Sequence, residues 1–477
     1  MSTGLKRPTL DTVTTINRDG SRHLIHPADA AGRFMLARRL FAVLLLAVYI
    51  LLPWIPINGS PAVFLDVANR RFHLFGLTFL AQDLWVAFFA VSGAGFILFY
   101  LTALFGRLWC GWACPYTVFL EHAVRRVERW IEGDAQSRRR LDAMPWRGMK
   151  ILRRGLSLTA TFLISLLVAH FFLAYFVSLP RLWKMMLSRP GEHWFAFCVV
   201  MLVTLTLFFC FAWFREQFCI VLCPYGRIQS ALTDEHTLTV AYDRGRGEPR
   251  GRPGATGVGD CVNCLRCVQV CPTGIDIRNG LQLECIGCAA CLDACDAVML
   301  RLKRRRGLVR YTSMRGLQGL KTRWLRPRIL AYTGLLAAGL AALGFSITRL
   351  HSFQATLTRL AGAPYYVTAE GVRNQFQLEL VNKRRETGEF RLDLEDAPAG
   401  TRLNPSGNAI RVPGQEEYKG VLTIEIPRSV YQGKQRLVLR VRNGTHPDAT
   451  ALEFEFTGPD PRLLPEISPA PAPASIP

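Results

Sequence analysis

Eight of the 14 cysteines in this 477-residue chain fall in two adjacent runs, Cys261-x2-Cys264-x2-Cys267-x3-Cys271 and Cys285-x2-Cys288-x2-Cys291-x3-Cys295. Three thiolates at such intervals can wrap three irons of one cubane, and the cysteine that trails them reaches a neighbouring cubane. The spacing is that of two [4Fe–4S] clusters, whose chemistry is the movement of single electrons. On this pattern Cys261, Cys264, Cys267 and Cys295 hold one cluster, and Cys285, Cys288, Cys291 and Cys271 hold the other. Zinc knuckles and disulfides are the alternative uses of such cysteines, but zinc needs four ligands per site and gives the trailing x3-Cys no role. Two details depart from the usual pattern. Asp296 stands where proline would follow the second run, as Pro272 follows the first, and the connecting segment 272–284 is short.

Four further cysteines form a repeat, Cys110-Gly-Trp-Ala-Cys114-Pro115-Tyr116 and Cys219-Ile-Val-Leu-Cys223-Pro224-Tyr225, each behind an aromatic-rich stretch. Residues i and i+4 share a helix face, so each pair could turn both sulfurs toward one metal ion, and the proline then redirects the chain. Soft thiolates select Cu(I), zinc or iron–sulfur centres over hard cations. Buried structural cysteine accounts for an isolated pair. The duplication favours a shared site, at which copper, a third cluster and disulfides all stay open. Cys198 and Cys210 belong to no motif and read as packing residues. His170, within an apolar stretch, is a candidate ligand, quinone contact or proton relay, or a histidine bonded to a neighbouring helix. His122 reads as a surface residue in preference to a further ligand.

Half of the chain is hydrophobic and 20% is charged. The stretches 40–57, 84–105, 156–179, 194–214 and 329–347 contain no Asp, Glu, Lys or Arg, and each approaches or exceeds the ~20 residues of a bilayer crossing. The first follows a polar segment with no small-residue cleavage site, so it is not a signal peptide. Lys and Arg number 7, 11 and 19 in 1–39, 106–155 and 215–328, against 2 and 3 in 58–83 and 180–193. By the positive-inside rule the basic segments are cytoplasmic and the chain from 348 onward is periplasmic. The cluster ligands then lie on the reducing side, where free thiolates persist. The net charge of +22 is concentrated in membrane-flanking runs such as 138–140 and 303–306, which suits anionic lipid headgroups and not nucleic acid.

These elements define a polytopic α-helical membrane protein of five spans, with a cytoplasmic ferredoxin-like 2[4Fe–4S] domain and a C-terminal all-β immunoglobulin-like domain. Residues 1–39 form a mobile cytoplasmic arm, and 40–240 a four-helix membrane region carrying both Cys-x3-Cys-Pro motifs. Within it, 107–155 reads as an interfacial amphipathic helix. Residues 241–259 are a flexible linker by composition, 260–300 the ferredoxin unit, 301–328 a basic juxtamembrane segment and 329–347 the fifth span. A 41-residue unit has little apolar core, so its clusters must stabilise it. In 348–458, segments such as Phe376-Gln-Leu-Glu-Leu, Val421-Leu-Thr-Ile-Glu-Ile and Leu452-Glu-Phe-Glu-Phe alternate with period two between turn residues, the pattern of a β-sandwich. The tail, 459–477, is proline-rich and predicted to be disordered.

Five spans, two Cys-x3-Cys-Pro pairs, a double ferredoxin run and an immunoglobulin-like outer domain, in this order, resemble the FixG/CcoG/RdxA family of accessory proteins for cbb-type cytochrome c oxidase. The resemblance implies an inner-membrane protein that reduces Cu(II) to Cu(I) in support of copper delivery to the oxidase. It carries the eight ferredoxin cysteines over as cluster ligands, and Cys110, Cys114, Cys219 and Cys223 as redox or copper-linked cysteines. The implied partners are membrane lipid, copper-handling and oxidase-assembly proteins and a cytoplasmic or quinol electron donor, with a homodimer among the assemblies it allows. Two competing readings are a quinol-linked conduit to a respiratory reductase, like the membrane ferredoxins of nitrate respiration, and an assembly scaffold with structural clusters.

Overall fold

The computed structural model describes residues 24–463, apart from 58–59, 68–69, 81–82, 349–351, 385, 406–408 and 445–447. The chain divides into two compact units, residues 1–345 and 346–477.

Among the described residues, five helices are long and apolar enough to cross a membrane: Arg33–Trp54, Trp85–Phe105, Gly148–Leu173, Pro190–Phe214 and Pro327–Thr348. Large apolar side chains such as Leu40, Phe88, Phe195 and Leu202 are exposed along them, the surface that suits hydrocarbon. The first helix starts well before residue 40, because its first turns are anchored in protein. The Met35 amide donates to Asp293 Oδ2 at 2.7 Å, and Arg38 Nε to the Gly111 carbonyl at 2.6 Å. The mobile arm expected over 1–39 is corrected from residue 24 onward. The Ala28 amide bonds the Gln269 carbonyl at 2.8 Å, and His26 pairs with Asp142 at 2.6 Å. Residues 1–23 lie outside the described residues. After the first span, Val63–Asp66, Arg71–Leu74 and Leu77–Leu80 form a three-stranded antiparallel sheet that the sequence reading missed.

The interfacial amphipathic helix expected over 107–155 is also corrected. The chain breaks into Leu108–Trp112, Pro115–Phe119, a π-turn at Leu120–Val124, Arg125–Glu132 and Ala135–Ala143, before the third span begins at Gly148. Its polar stripe points into the protein and not toward headgroups. Arg125 and Arg138 are fully buried, and Glu128 and Glu132 nearly so.

The ferredoxin unit is wider than 260–300. Thr239–Tyr242 pairs antiparallel with Val309–Thr312. Val240, Tyr242, Leu308 and Val309 join Ile277, Leu292 and Met299 in one buried cluster. The unit thus borrows its core from segments expected to be linker and juxtamembrane chain. Gly247, Gly251 and Gly259 of the 244–259 segment serve close packing, not flexibility. A Cβ on Gly259 would stand 2.6 Å from the Gly247 carbonyl carbon, and Arg246 Nε holds Asp260 at 2.5 Å.

The second unit is an antiparallel sandwich. One sheet runs Arg402–Asn404, Glu417–Pro427, Gly371–Asn382, Phe353–Arg359, with Tyr366–Val367 also on Gly371–Asn382. The other runs Ile410–Val412, Gly388–Glu395, Gln435–Asn443, Ala449–Phe456. Alternate residues, among them Phe376, Leu378, Leu380, Leu422, Ile424, Leu439 and Val441, fill the space between the sheets. The proline-rich tail starts later than expected. Tyr431 donates to the Pro459 carbonyl at 2.9 Å and 461–463 form a 3-10 turn, while 464–477 lie outside the described residues.

Candidate metal centres

The eight ferredoxin cysteines line two cavities. Cys261, Cys264, Cys267 and Cys295 surround one of about 380 Å³, with Tyr242, Val298 and Met299. Cys271, Cys285, Cys288 and Cys291 surround another of about 340 Å³, with Ile275, Ile277 and Ile286. Cys267 touches both. The trailing cysteine of each run therefore faces the cavity of the other run. The backbone repeats as well. Asn263 and Leu265 flank the central Cys264 with φ of 56° and 58°, and Gly287 and Ala289 flank Cys288 with φ of 66° and 61°. Such left-handed residues curl backbone amides into the concave nests found at iron–sulfur sites.

These residues fit cubane clusters better than single ions. Among the described residues no three His, Cys, Asp or Glu side chains converge on one ion, as zinc with its ~2.3 Å bonds to sulfur would require. Burial pushes Cys267, Cys285 and Cys295 up to about 12 and Cys288 to about 11. Iron must displace those protons, so metal loading and thiol deprotonation are one event here.

The four cysteines of the repeat also lie near one another, although among the described residues they do not converge on one ion. Cys110 feels the charges of Cys114, Cys219 and Cys223, and Cys219 those of Cys114 and Cys223. Burial pushes both Cys110 and Cys219 up to about 12. They do not share a continuous helix face as the i, i+4 spacing suggested. Cys114 and Cys223 have φ/ψ of −59°/121° and −67°/113° and stand at the N-cap of the next helix. Each precedes a proline, which drives the preceding residue out of the helical region. The two copies match further. Four residues before the first cysteine, Gly106 (55°/−127°) and Arg215 (47°/−125°) break their spans with one conformation. The tyrosines are exchanged between copies. Tyr116 donates to the Arg215 carbonyl at 2.6 Å and Tyr225 bonds Thr102 Oγ1 at 2.5 Å, each reaching the end of the other copy's span.

This site adjoins the second ligand set. Cys110 packs in one cluster with Cys288, Cys291 and Ile286. Below it lies a buried ion network that the sequence reading missed. Arg215 makes two bonds to Glu128, at 2.7 and 2.6 Å, and Arg125 reaches Glu216 at 2.8 Å and the Pro272 carbonyl at 3.3 Å, next to Cys271. Glu121, Arg125, Glu128 and Glu132 recur at helical spacing, a signal present in the sequence but read as a lipid-facing stripe.

Of the remaining candidates, Cys210 touches the four-cysteine site, its carbonyl accepting from the Tyr116 hydroxyl at 3.0 Å. The His170 ring bonds Leu166 O at 2.8 Å, in its own helix and not a neighbouring one. His122 is half-buried, not a surface residue, and burial with Arg38 nearby pushes it down to about 4. Cys210 is buried, as expected of packing, but Cys198 is exposed.

Residues 214–314 match the family model of a 4Fe-4S dicluster domain, residues 86–132 that of a 4Fe-4S binding domain, and residues 343–459 that of the IG-like fold at the C-terminal of FixG. The chain is 36% identical over 400 residues to the protein RdxA of Cereibacter sphaeroides, covering 81% of this chain and 85% of RdxA. It is 36% identical over 442 residues to the nitrogen fixation protein FixG of Rhizobium meliloti, covering 83% of this chain and 82% of FixG. The ferredoxin-type protein NapH of Haemophilus influenzae is 24% identical over 296 residues, 58% of this chain and 91% of NapH. The crystal structure of a FixG-related protein from Vibrio parahaemolyticus aligns with a TM-score of 0.21 and 14% identity, over 23% of this chain and 97% of that one. With more than a third of its residues identical over four-fifths of its length, and with ferredoxin and FixG-type models matched along it, the chain belongs to the FixG/RdxA family of membrane iron–sulfur electron-transfer proteins.

Proposed function

We propose that the chain reduces Cu(II) to Cu(I) at Cys110, Cys114, Cys219 and Cys223, in support of copper delivery during assembly of a cbb-type cytochrome c oxidase. The observation that carries this reading is the packing of Cys110 against the buried cluster that holds Cys288 and Ile286, which sets the four cysteines beside a cluster ligand set. Bound [4Fe–4S] clusters supply electrons one at a time, and Cu(II) needs one. The thiols prefer the product, because soft sulfur binds Cu(I) over harder cations. At neutral pH Cys110 and Cys219 hold their protons, and Cu(I) replaces them as it binds. The charge asymmetry of the loops supports a cytoplasmic side for the ferredoxin unit and this site and a periplasmic side for the sandwich. The reading implies an electron donor on the cytoplasmic side or in the quinol pool, and a copper-handling acceptor. Replacing Cys110 and Cys114 with serine is expected to abolish Cu(II) reduction by the dithionite-reduced, desalted protein while its cluster absorbance persists. Unchanged reduction would sink the assignment.

One observation favours a second reading. Residues 86–132, which include Cys110 and Cys114, match the model of a 4Fe-4S binding domain, as a third cluster on the four cysteines would require. Iron content separates the two: about eight irons per chain for two cubanes, about twelve for three.

A further inference from the structure

We infer that Gly111 is a positioning residue, which fixes the contact through which the Cys271/Cys285/Cys288/Cys291 ligand set, and not the other set, is coupled to the four-cysteine site. The inference rests on the reading of those four cysteines as the place where Cu(II) is reduced. A Cβ on Gly111 would stand 2.6 Å from the Ile286 carbonyl oxygen and 2.9 Å from both N and Cα of Cys288. All three are backbone atoms of a ligand loop, so no rotamer change relieves the clash. The approach is reciprocal, since a Cβ on Gly287 would meet the Arg107 carbonyl at 3.1 Å. Two glycines, one in each partner, therefore let two backbones touch between Cys110 and Cys288.

The contact is fastened from three sides. The buried Arg38 donates through Nε to the Gly111 carbonyl at 2.6 Å. Tyr311 donates to the Gly287 carbonyl at 2.5 Å, and Trp112 Nε1 donates to the Tyr311 hydroxyl at 3.3 Å. The other cavity is lined only by residues between Tyr242 and Val309. No residue of either Cys-x3-Cys-Pro-Tyr motif lines it among the described residues, and its ligand Cys264 is exposed. A cluster held there would supply the one electron that turns Cu(II) into Cu(I), and the rate of that transfer depends on how closely the ligand loop and the four cysteines are held.

Full-length protein in detergent, reduced with dithionite and desalted anaerobically, is mixed in a stopped-flow cell with Cu(II) or, separately, with ferricyanide, a small oxidant able to take electrons at exposed ligands. Gly111→Ala is expected to slow bleaching by Cu(II) several-fold. Its bleaching by ferricyanide, its iron content and its electron paramagnetic resonance spectrum should match wild type. Tyr311→Phe, which removes the hydroxyl bond to the Gly287 carbonyl and touches no ligand, should also slow the Cu(II) phase while leaving the ferricyanide phase and the iron content at wild type. A Gly111→Ala protein that reacts with Cu(II) like wild type overturns the inference, as does one slowed equally toward both oxidants, which is the mark of general damage. A Tyr311→Phe protein that reacts with Cu(II) at the wild-type rate overturns it too, and decides the matter if Gly111→Ala fails to hold iron. If wild type and the Cys110/Cys114 serine variant react alike with Cu(II), it is the underlying copper reading that falls.

Discussion

The two Cys-x3-Cys-Pro-Tyr motifs share their hinge and cap conformations but not an environment. Gly106 and Arg215 adopt the same left-handed hinge, and Cys114 and Cys223 the same extended cap. At each matched position between them the side chains part ways. Gly111 lies on the Cys288 loop, whereas its counterpart is Ile220. Arg107 donates to the Gly226 carbonyl at 2.5 Å, whereas its counterpart Glu216 takes a bond from the buried Arg125. A glycine fills the first hinge without strain, and an arginine fills the second. The first copy is therefore the electrical side of the site, touching a cluster ligand set. The second is the mechanical side, tied into the ion network that braces it. The two copies bring four cysteines near one another, and each pair has a different neighbour.

The largest effect is expected where the mechanical side is cut. A non-glycine residue at φ 47° and ψ −125° costs on the order of 1–3 kcal/mol, and Arg215 is held there by its two bonds to Glu128. Glu128→Gln leaves Arg215 and Arg138 buried without that charge, and removing one partner of a buried pair costs about 3–5 kcal/mol. Thermal unfolding in detergent should show the loss, with Tyr116, whose hydroxyl rests on the Arg215 carbonyl, loosening first. The pH dependence has a definite sign. Burial raises the Glu128 carboxyl, but Arg215, Arg125 and Arg138 outweigh burial and leave it below its usual 4.5. Its contribution is thus complete above about 4.5 and is lost as pH falls through the lower folded value. Wild type should lose this stability in acid, while Glu128→Gln should show a flatter acid limb. An equally steep limb in the variant would remove Glu128 as the brace.

How much of this was legible beforehand differs between the regions for physical reasons. The ligand runs were legible because cubane chemistry fixes both residue type and spacing, and the sandwich because alternation of Phe376, Leu378 and Leu380 reports a half-buried strand directly. The spans were legible from hydropathy. The ion network was not, because Glu121, Arg125, Glu128 and Glu132 make the same stripe whether they face headgroups or one another. Long-range pairing with Arg215 and Glu216 decides it, and no local pattern encodes that. Composition also misled at 244–259, where Gly259 and Gly251 looked like flexibility but serve close contacts with Gly247 and Val258. Gly111 carried no signal alone. Its meaning appears only when Cys288 lies against it.

A smaller effect should sharpen the electrical side. The Arg107 guanidinium acts on Cys285 of the second ligand set and on Cys110 and Cys219 of the four-thiol site. A reduced cluster carries more negative charge, so a nearby cation favours reduction. Arg107→Gln should therefore lower the potential of the cluster on Cys271, Cys285, Cys288 and Cys291 by on the order of 50 mV, the equivalent of about 1 kcal/mol. The cluster on Cys261, Cys264, Cys267 and Cys295 should hardly move. A potentiometric titration followed by electron paramagnetic resonance reads both. Equal shifts in the two signals would mean that Arg107 acts on the whole unit, and the distinction between a near and a far ligand set would be lost.

The smallest effect is the most exacting test of the asymmetry. If the motifs were functionally equivalent halves, trimming Ile220 would matter as much as burdening Gly111, since the two occupy the same place in the repeat. The structure gives Ile220 no ligand loop to lean on: the half-buried side chain sits in a π-turn, with Val221 and Leu222 exposed beside it. Ile220→Ala should therefore change stability by no more than about 0.5–1 kcal/mol and leave the rate of bleaching by Cu(II) at the wild-type value. A rate that falls as far as that of Gly111→Ala would show that the second copy also carries the electron. The difference between Gly111 and Ile220 would then be one of packing alone, since a site fed from both sides would not need the backbone contact at Cys288.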